Sequence, residues 1–153
     1  MKWIHPPIIK IYEALSAVVD NRVETEGSIG KVYSSSRNKY YNVDYDEEMQ
    51  AIMCNDNASF WNGTLGYPAI AFLMQTGVLP YDETIGALLK NIAWKDINQK
   101  FKNDYEKTLE YILSSKTDDE KKKINDFVTT VDQEIKNLDL NLLGKKTKPP
   151  HGY

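Results

Sequence analysis

Ile8, Ile11, Tyr12, Leu15, Val18 and Val19 recur at helical spacing between Pro6 and Asp20, which predicts a helix with one apolar stripe. Pro6 and Pro7 suit its opening, where a missing N–H costs nothing. The pattern then changes to alternation. Residues 22–26 predict a short strand, Gly27-Ser28 a two-residue II′ turn, and residues 29–35 a second strand. Ile29, Lys31 and Tyr33 share one face of it; Val32 and Ser34 share the other. Arg37-Asn38 predicts another tight turn, with Asn38 able to take positive φ. Residues 39–45 place Tyr41, Val43 and Tyr45 on one face and Tyr40, Asn42 and Asp44 on the other. Residues 49–54 read as the last strand, giving a meander of three or four antiparallel strands.

Beyond Cys54 the period returns to that of helices. Asn57 is positioned to cap a short turn carrying Phe60 and Trp61, and Gly63 and Gly66 keep the next loop tight. Pro68 opens an apolar helix that Gly77 stops, expected to be the most buried one because it has no polar face. Residues 82–92 predict a helix with Ile85, Leu88, Leu89 and Ile92 as its stripe. Asp96 and Gln99 match a capping box ahead of Ile97, Phe101, Tyr105, Leu109, Ile112 and Leu113. Thr117 and Glu120 match a second, ahead of Ile124, Phe127, Val128, Val131, Ile135 and Leu138. From Leu143 the tail lacks periodicity and reads as mobile. The fold class is α+β: a small antiparallel meander with an N-terminal helix and a short apolar helix, followed by a C-terminal helical extension. One domain is expected, with a β-rich unit at 8–76, helices at 80–138 and a tail at 143–153. The shift near Ala93, from tyrosine-rich strands to lysine-rich helices, is a candidate subdomain boundary.

Composition narrows the function classes. The chain has 153 residues and a net charge of −3, so no general basic excess points to nucleic acid. Cys54 is the only cysteine, which excludes an intramolecular disulfide and a cysteine-rich metal knuckle. No run of apolar residues is long enough to span a membrane, and the first residues lack the apolar core of a signal peptide. A cytoplasmic protein without cofactor or metal is expected. Two glycosylation sequons, at Asn57 and Asn62, read as chance matches.

Three stretches carry a family resemblance. KVYSSSRNKYYNVDYD, residues 31–46, has a Val before small residues, a turn and a Tyr-x-Val strand. AIMCNDNASFW, residues 51–61, has a strand ending at Cys54 and followed by aromatics. GYPAIAFLM, residues 66–74, opens a short helix. Together, over residues 8–76, they resemble the SWIM zinc-finger module. The resemblance implies a C-x-C at the strand end and a C-x-H at the helix start. Here the first is Ile52-Met53-Cys54, and the second has neither cysteine nor histidine. Structural zinc needs four S or N ligands, and His5 and His151 lie near the two ends. The resemblance therefore implies a zinc-free relative. The ion's contribution, on the order of 10–16 kcal/mol, has to come from packing, with Phe60, Trp61, Leu65, Tyr67 and Pro68 as the expected plug and the C-terminal helices as a cap.

Three functional readings follow. The favoured one is a non-enzymatic interaction domain, binding a protein or a second copy of itself through Arg37, Lys39, Tyr40, Tyr41, Phe60, Trp61 and Tyr67 or through the long C-terminal helices. Aromatics interleaved with Lys31, Arg37 and Lys39 also suit single-stranded nucleic acid, by stacking and charge, although Asp44, Asp46, Glu47 and Glu48 oppose phosphate. That acidic run reads as a solvated turn, lacking the spacing of a calcium loop. The third reading is a small enzyme with its site around Cys54, Asp56, Trp61 and Tyr67. Against it, no histidine lies near Cys54 to activate a thiol, and a capping role explains Asp56. The lysines at 121–123, 145, 146 and 148 read as solvated charge. No phosphate-binding loop, dinucleotide fingerprint, nucleophile elbow or zinc-protease motif is present.

Overall fold

A computed structural model describes residues 1–151. The chain begins with α1 (Ile9–Val19), followed by β1 (Val23–Glu26), β2 (Ile29–Tyr33), β3 (Tyr40–Asp46) and β4 (Ala51–Cys54). Then come α2 (Asn57–Asn62), α3 (Tyr67–Gln75), α4 (Glu83–Ala87), α5 (Trp94–Lys100), α6 (Tyr105–Leu113), α7 (Asp118–Leu138) and β5 (Asn141–Leu142). The class is α+β, as the alternating and helical periods predict.

The hairpin turns behave differently from one another. Gly27, at φ 60°, makes the first, pairing Glu26 with Ile29. In the second it is Arg37, not Asn38, that takes positive φ, at 63°. Asn38 serves the turn with its side chain instead: its Oδ1 accepts from the Ser34 and Ser36 hydroxyls at 3.2 and 2.6 Å. The first four strands pair antiparallel in sequence order. A fifth, β5, then pairs parallel with β4, so the sheet is mixed and larger than the expected meander. Asn141 N–H donates to Gln50 O at 2.8 Å and Leu143 N–H to Ile52 O at 3.1 Å. Tail residues run on beside the sheet, where Asn55 Nδ2 donates to Lys148 O. A two-residue strand has no period to read, and its partner is far away in sequence.

One face of the sheet is apolar. Val32, Tyr41, Val43, Tyr45, Ile52 and Cys54 are buried there, and α3 packs across β1 to β4 with α1 behind it. Residues 68–74 of α3 are all buried, as its apolar sequence predicts. The Phe72 ring lies over Gly30 so closely that a Cβ there would come within 2.5 Å of it. That glycine in mid-strand makes room for a ring whose burial contributes about 1.5–3 kcal/mol.

The later helices differ from expectation in their bounds. Asp82 caps α4, accepting from the Thr84 and Ile85 amides, but the helix is short and the stripe continues through turns that leave Leu89 buried. Asp96 is not an N-cap: α5 begins at Trp94, and Asp96 lies inside its first turn. Lys102 and Asn103 take φ of 52° and 62°, which no α-helix continues through, so the single helix expected over Ile97 to Leu113 is two. Asp104 caps the second. The Thr117–Glu120 box forms with both bonds and opens α7. Its Ile124, Val128, Val131 and Ile135 are buried in the cluster that also holds α1, α3 and Trp94. The shift near Ala93 therefore changes the surface and not the core.

Candidate functional site

The end of the sheet near Arg22, together with α1, the start of α3 and α5, encloses a cavity of about 470 Å³. Four parts of the chain supply its wall. Glu13 comes from α1; Arg22, Ser34, Ser35, Lys39 and Tyr41 come from the sheet and its turns. Asn57 and Tyr67 come from α2 and α3, while Trp94, Lys95, Asn98, Gln99 and Asn103 come from α5 and its end. The lining is mostly polar, with Tyr41, Tyr67 and Trp94 as its aromatic members.

Its floor holds buried charge. Arg22 is 2% exposed. Its Nη1 donates to Tyr33 O at 2.9 Å, and its Nε lies 3.8 Å from Asp20 Oδ2, beyond hydrogen-bond reach. Nε and Nη2 are left without hydrogen-bond acceptors. Glu13 is 6% exposed. Burial raises the pKa of its carboxyl, and the charge of Lys10 and the Asn98 side chain pull it only partway back. Lys10 Nζ stands 3.8 Å from Glu13 Oε1, yet that oxygen accepts no hydrogen bond, and neither does Asn98 Oδ1. Burial works against the charge on Lys10, but Glu13, Tyr105 and Asp56 outweigh it and keep the ammonium above its ordinary range. An unpaired buried polar atom costs about 1–3 kcal/mol, so this group departs from ordinary core construction.

The rest of the wall is neutral or cationic. Burial, with Tyr41 and Glu13 nearby, pushes the Tyr67 phenol well up, and burial with Asp56 does the same to Tyr41. The two rings meet edge to face at 6.2 Å. Trp94 is fixed by its indole N–H, which donates to Ser16 Oγ at 2.8 Å, and that hydroxyl donates to Leu89 O at 2.6 Å. At the mouth, desolvation and the positive charge of Lys39 lower the pKa of Lys95.

The residues expected to bind a partner divide into two sets. Lys39, Tyr41 and Tyr67 come together in this wall. Arg37 stands outside it, its Nη2 donating to Asp20 O at 2.7 Å. Tyr40 lies on the outer face beside Tyr33, with Lys31 Nζ over its ring at 4.8 Å. Tyr41 and Tyr40 thus serve opposite faces of the hairpin. Phe60 and Trp61 pack on each other at 4.7 Å, and Trp61 is 70% exposed. They are not a core plug; Leu65 and Pro68 are the buried members of that set.

The Cys54 group does not assemble for chemistry. Cys54 is fully buried, and burial with the adjacent Asp56 raises its thiol pKa well above the usual range, the reverse of what a thiolate nucleophile needs. Asp56 caps α2: it accepts from Ser59 N–H at 3.4 Å and from the Ser59 hydroxyl. Asn57, the expected cap, is the first helical residue instead. Asp46 closes its acidic turn by accepting from Met49 N–H. Among the described residues, no three His, Cys, Asp or Glu side chains gather as a metal ion requires, and no helix is long and apolar enough to cross a membrane.

Sequence reasoning passed over Glu13, Arg22, Trp94, Lys95 and Asn98. For Glu13 a signal existed: it is the one charged residue in IYEALSAVV, residues 11–19, a run that leaves little solvent-facing surface. Arg22 is next to a turn and has no such mark.

Fold and cavity define an α+β protein with a polar, cation-rimmed pocket at one end of its sheet. The chain belongs to the family described as uncharacterised conserved protein UCP014422, whose pattern it matches over residues 3–141. Those bounds take in every residue of the cavity wall. No curated protein and no solved structure matches the chain.

Proposed function

We propose that this protein is a non-enzymatic binding domain, and that its ligand is a small negatively charged molecule held in the cavity above Arg22. One observation carries the reading: a guanidinium buried to 2% exposure has Nε and Nη2 without acceptors beside a cavity of about 470 Å³. Arginine's rigid fork matches carboxylate and phosphate oxygens. Lys39 and Lys95 at the mouth add positive charge that draws such a ligand in. Thermal-shift and calorimetric titration with simple carboxylates and phosphates tests it. An anion should raise the melting midpoint of the unaltered chain and lose that effect in Arg22→Gln. If no anion binds in an Arg22-dependent way, the reading fails.

A second reading, a protein partner or self-association, is supported by a separate patch. Trp61 is 70% and Ile4 58% exposed, and Ile4 is tied beside the end of α2 by Ile4 N–H to Gly63 O at 2.9 Å. Light scattering should show association that Trp61→Ala weakens; a monomer at all concentrations removes self-association. Kinship with the SWIM module belongs to the same proposal. Cys54 lies at a strand end against the Ala69 amide in the first turn of α3, the relation which that resemblance implies. A cytoplasmic location is supported by a buried free thiol.

A further inference from the structure

We infer that the ligand of this cavity is a free α-amino acid, bound as the zwitterion with its carboxylate on Arg22 and its ammonium between Glu13 and Asn98. The inference rests on the anion-binding reading and narrows it.

The argument is a matching of unpaired atoms. On one side stand two donors of a single cation, Arg22 Nε and Nη2. On the other stand two acceptors, Glu13 Oε1 and Asn98 Oδ1. All belong to residues of one cavity wall. Glu13 and Arg22 feel each other's charge, yet they form no ion pair within 4.0 Å; the carboxylate nearest Arg22 is Asp20, and the ammonium nearest Glu13 is Lys10. Opposite buried charges ordinarily pair. Here α1 and the start of the sheet hold them apart, each with hydrogen-bonding capacity to spare.

A simple anion satisfies only half of this arrangement. It would fill the Arg22 fork and leave the two acceptors unpaired beside added negative charge. A simple amine fails the other way. An α-amino carboxylate carries an acceptor pair and a three-proton donor on adjacent carbons, and so supplies both halves. The four atoms are out of solvent's reach, so the side chains above them turn aside on entry. Tyr67 belongs to the same wall, its phenol within the fields of Arg22 and Glu13. The amino acid side chain is then directed toward the mouth.

The test uses the unaltered full chain. It is titrated by calorimetry with the common free amino acids and, for each that binds, with its N-acetyl derivative and its decarboxylated amine. At least one amino acid should bind with a Kd below about 1 mM, and both derivatives should bind at least about tenfold more weakly. In Glu13→Gln the free amino acid should lose most of its advantage over the N-acetyl form. If N-acetyl forms or plain carboxylates bind as well as free amino acids and Arg22→Gln abolishes them, the zwitterion inference is overturned while the anion reading stands. If nothing binds, both are overturned. The ligand comparison needs no variant, so a variant that fails to fold does not shield the inference.

Discussion

Ser16→Ala removes one oxygen from the middle of the protein. In the folded chain that hydroxyl is fully buried; it accepts from Trp94 Nε1 at 2.8 Å and donates to Leu89 O at 2.6 Å. It thereby ties α1 to α5 and to the turn after α4, and it fixes the indole in the cavity wall. Alanine adds no bulk, so the cost is that of unpaired groups. An orphaned indole N–H and an orphaned carbonyl cost about 1–3 kcal/mol each, so about 2–6 kcal/mol together. A domain is stable by about 5–15 kcal/mol, so the loss is large. It should lower the melting temperature by about 4–24 °C, at about 2–4 °C per kcal/mol for a chain of this size. Urea unfolding followed by far-ultraviolet circular dichroism measures it, with the slope unchanged. Trp94→Phe removes the donor and leaves Ser16 bonded to Leu89. The double variant should therefore cost less than the two single losses added, by about 0.5–3 kcal/mol. A Ser16→Ala loss below about 0.5 kcal/mol, or strict additivity, would refute the relay.

Other substitutions probe the cavity's supports. Gly66→Ala would bring a Cβ to 2.1 Å from Asp56 Oδ2, displacing the α2 cap; overpacking and cap loss together should cost about 2–4 kcal/mol by denaturant titration, and a neutral result would sink the contact. Thr117→Ala removes half of the α7 capping box and should cost about 1 kcal/mol in the same assay. Native Cys54 should resist a thiol reagent that labels it rapidly in urea, because it is buried and held protonated; equal rates would contradict that. Glu13 makes a pH prediction. Burial holds its folded carboxyl above its unfolded value, so the unfolded chain loses this proton first as pH rises. The contribution of Glu13 is intact below the ordinary carboxyl range and shrinks as pH rises toward the folded value. Glu13→Gln should gain on the natural chain as pH rises above the ordinary carboxyl range, about pH 4, and a difference that stays constant as pH rises would refute the shift.

The sequence made the fold legible where one residue pattern had one physical solution. Alternation over β3 fixed which tyrosines face inward, and the Thr117 box marked the start of α7 because both of its bonds are local. Errors arose where a tertiary contact overrode a local signal. Asp96 had capping chemistry, but α5 starts earlier, where Trp94 is held by Ser16, 78 positions away. Asn38 is the better residue for positive φ, yet Arg37 takes it while Asn38 Oδ1 gathers two hydroxyls and the guanidinium reaches Asp20 O. Phe60 and Trp61 looked like core from hydrophobicity alone, and one face of a six-residue helix could not bury both.

The candidate site was harder to read for a related reason. Periodicity registers the apolar residues that share a face; it is silent about polar residues placed among them. Tyr41 and Tyr67 are among the residues expected to bind a partner, Tyr67 also among the expected plug, and they reach the site from the buried face of the sheet and the start of α3. Arg22 looked like a charge beside a turn. Its Nη1 is held by Tyr33 O, while Asp20 stands beyond hydrogen-bond reach of Nε, and Nε and Nη2 are buried without acceptors. Desolvating that ion costs several kcal/mol, and a methionine in its place would fill similar space at no such penalty. A buried arginine that serves the fold alone would be expected to have all its donors engaged, as buried polar groups nearly always do. The donors left over at Arg22, together with the acceptors left over at Glu13 and Asn98, are what supports the proposal of this cavity as a binding site.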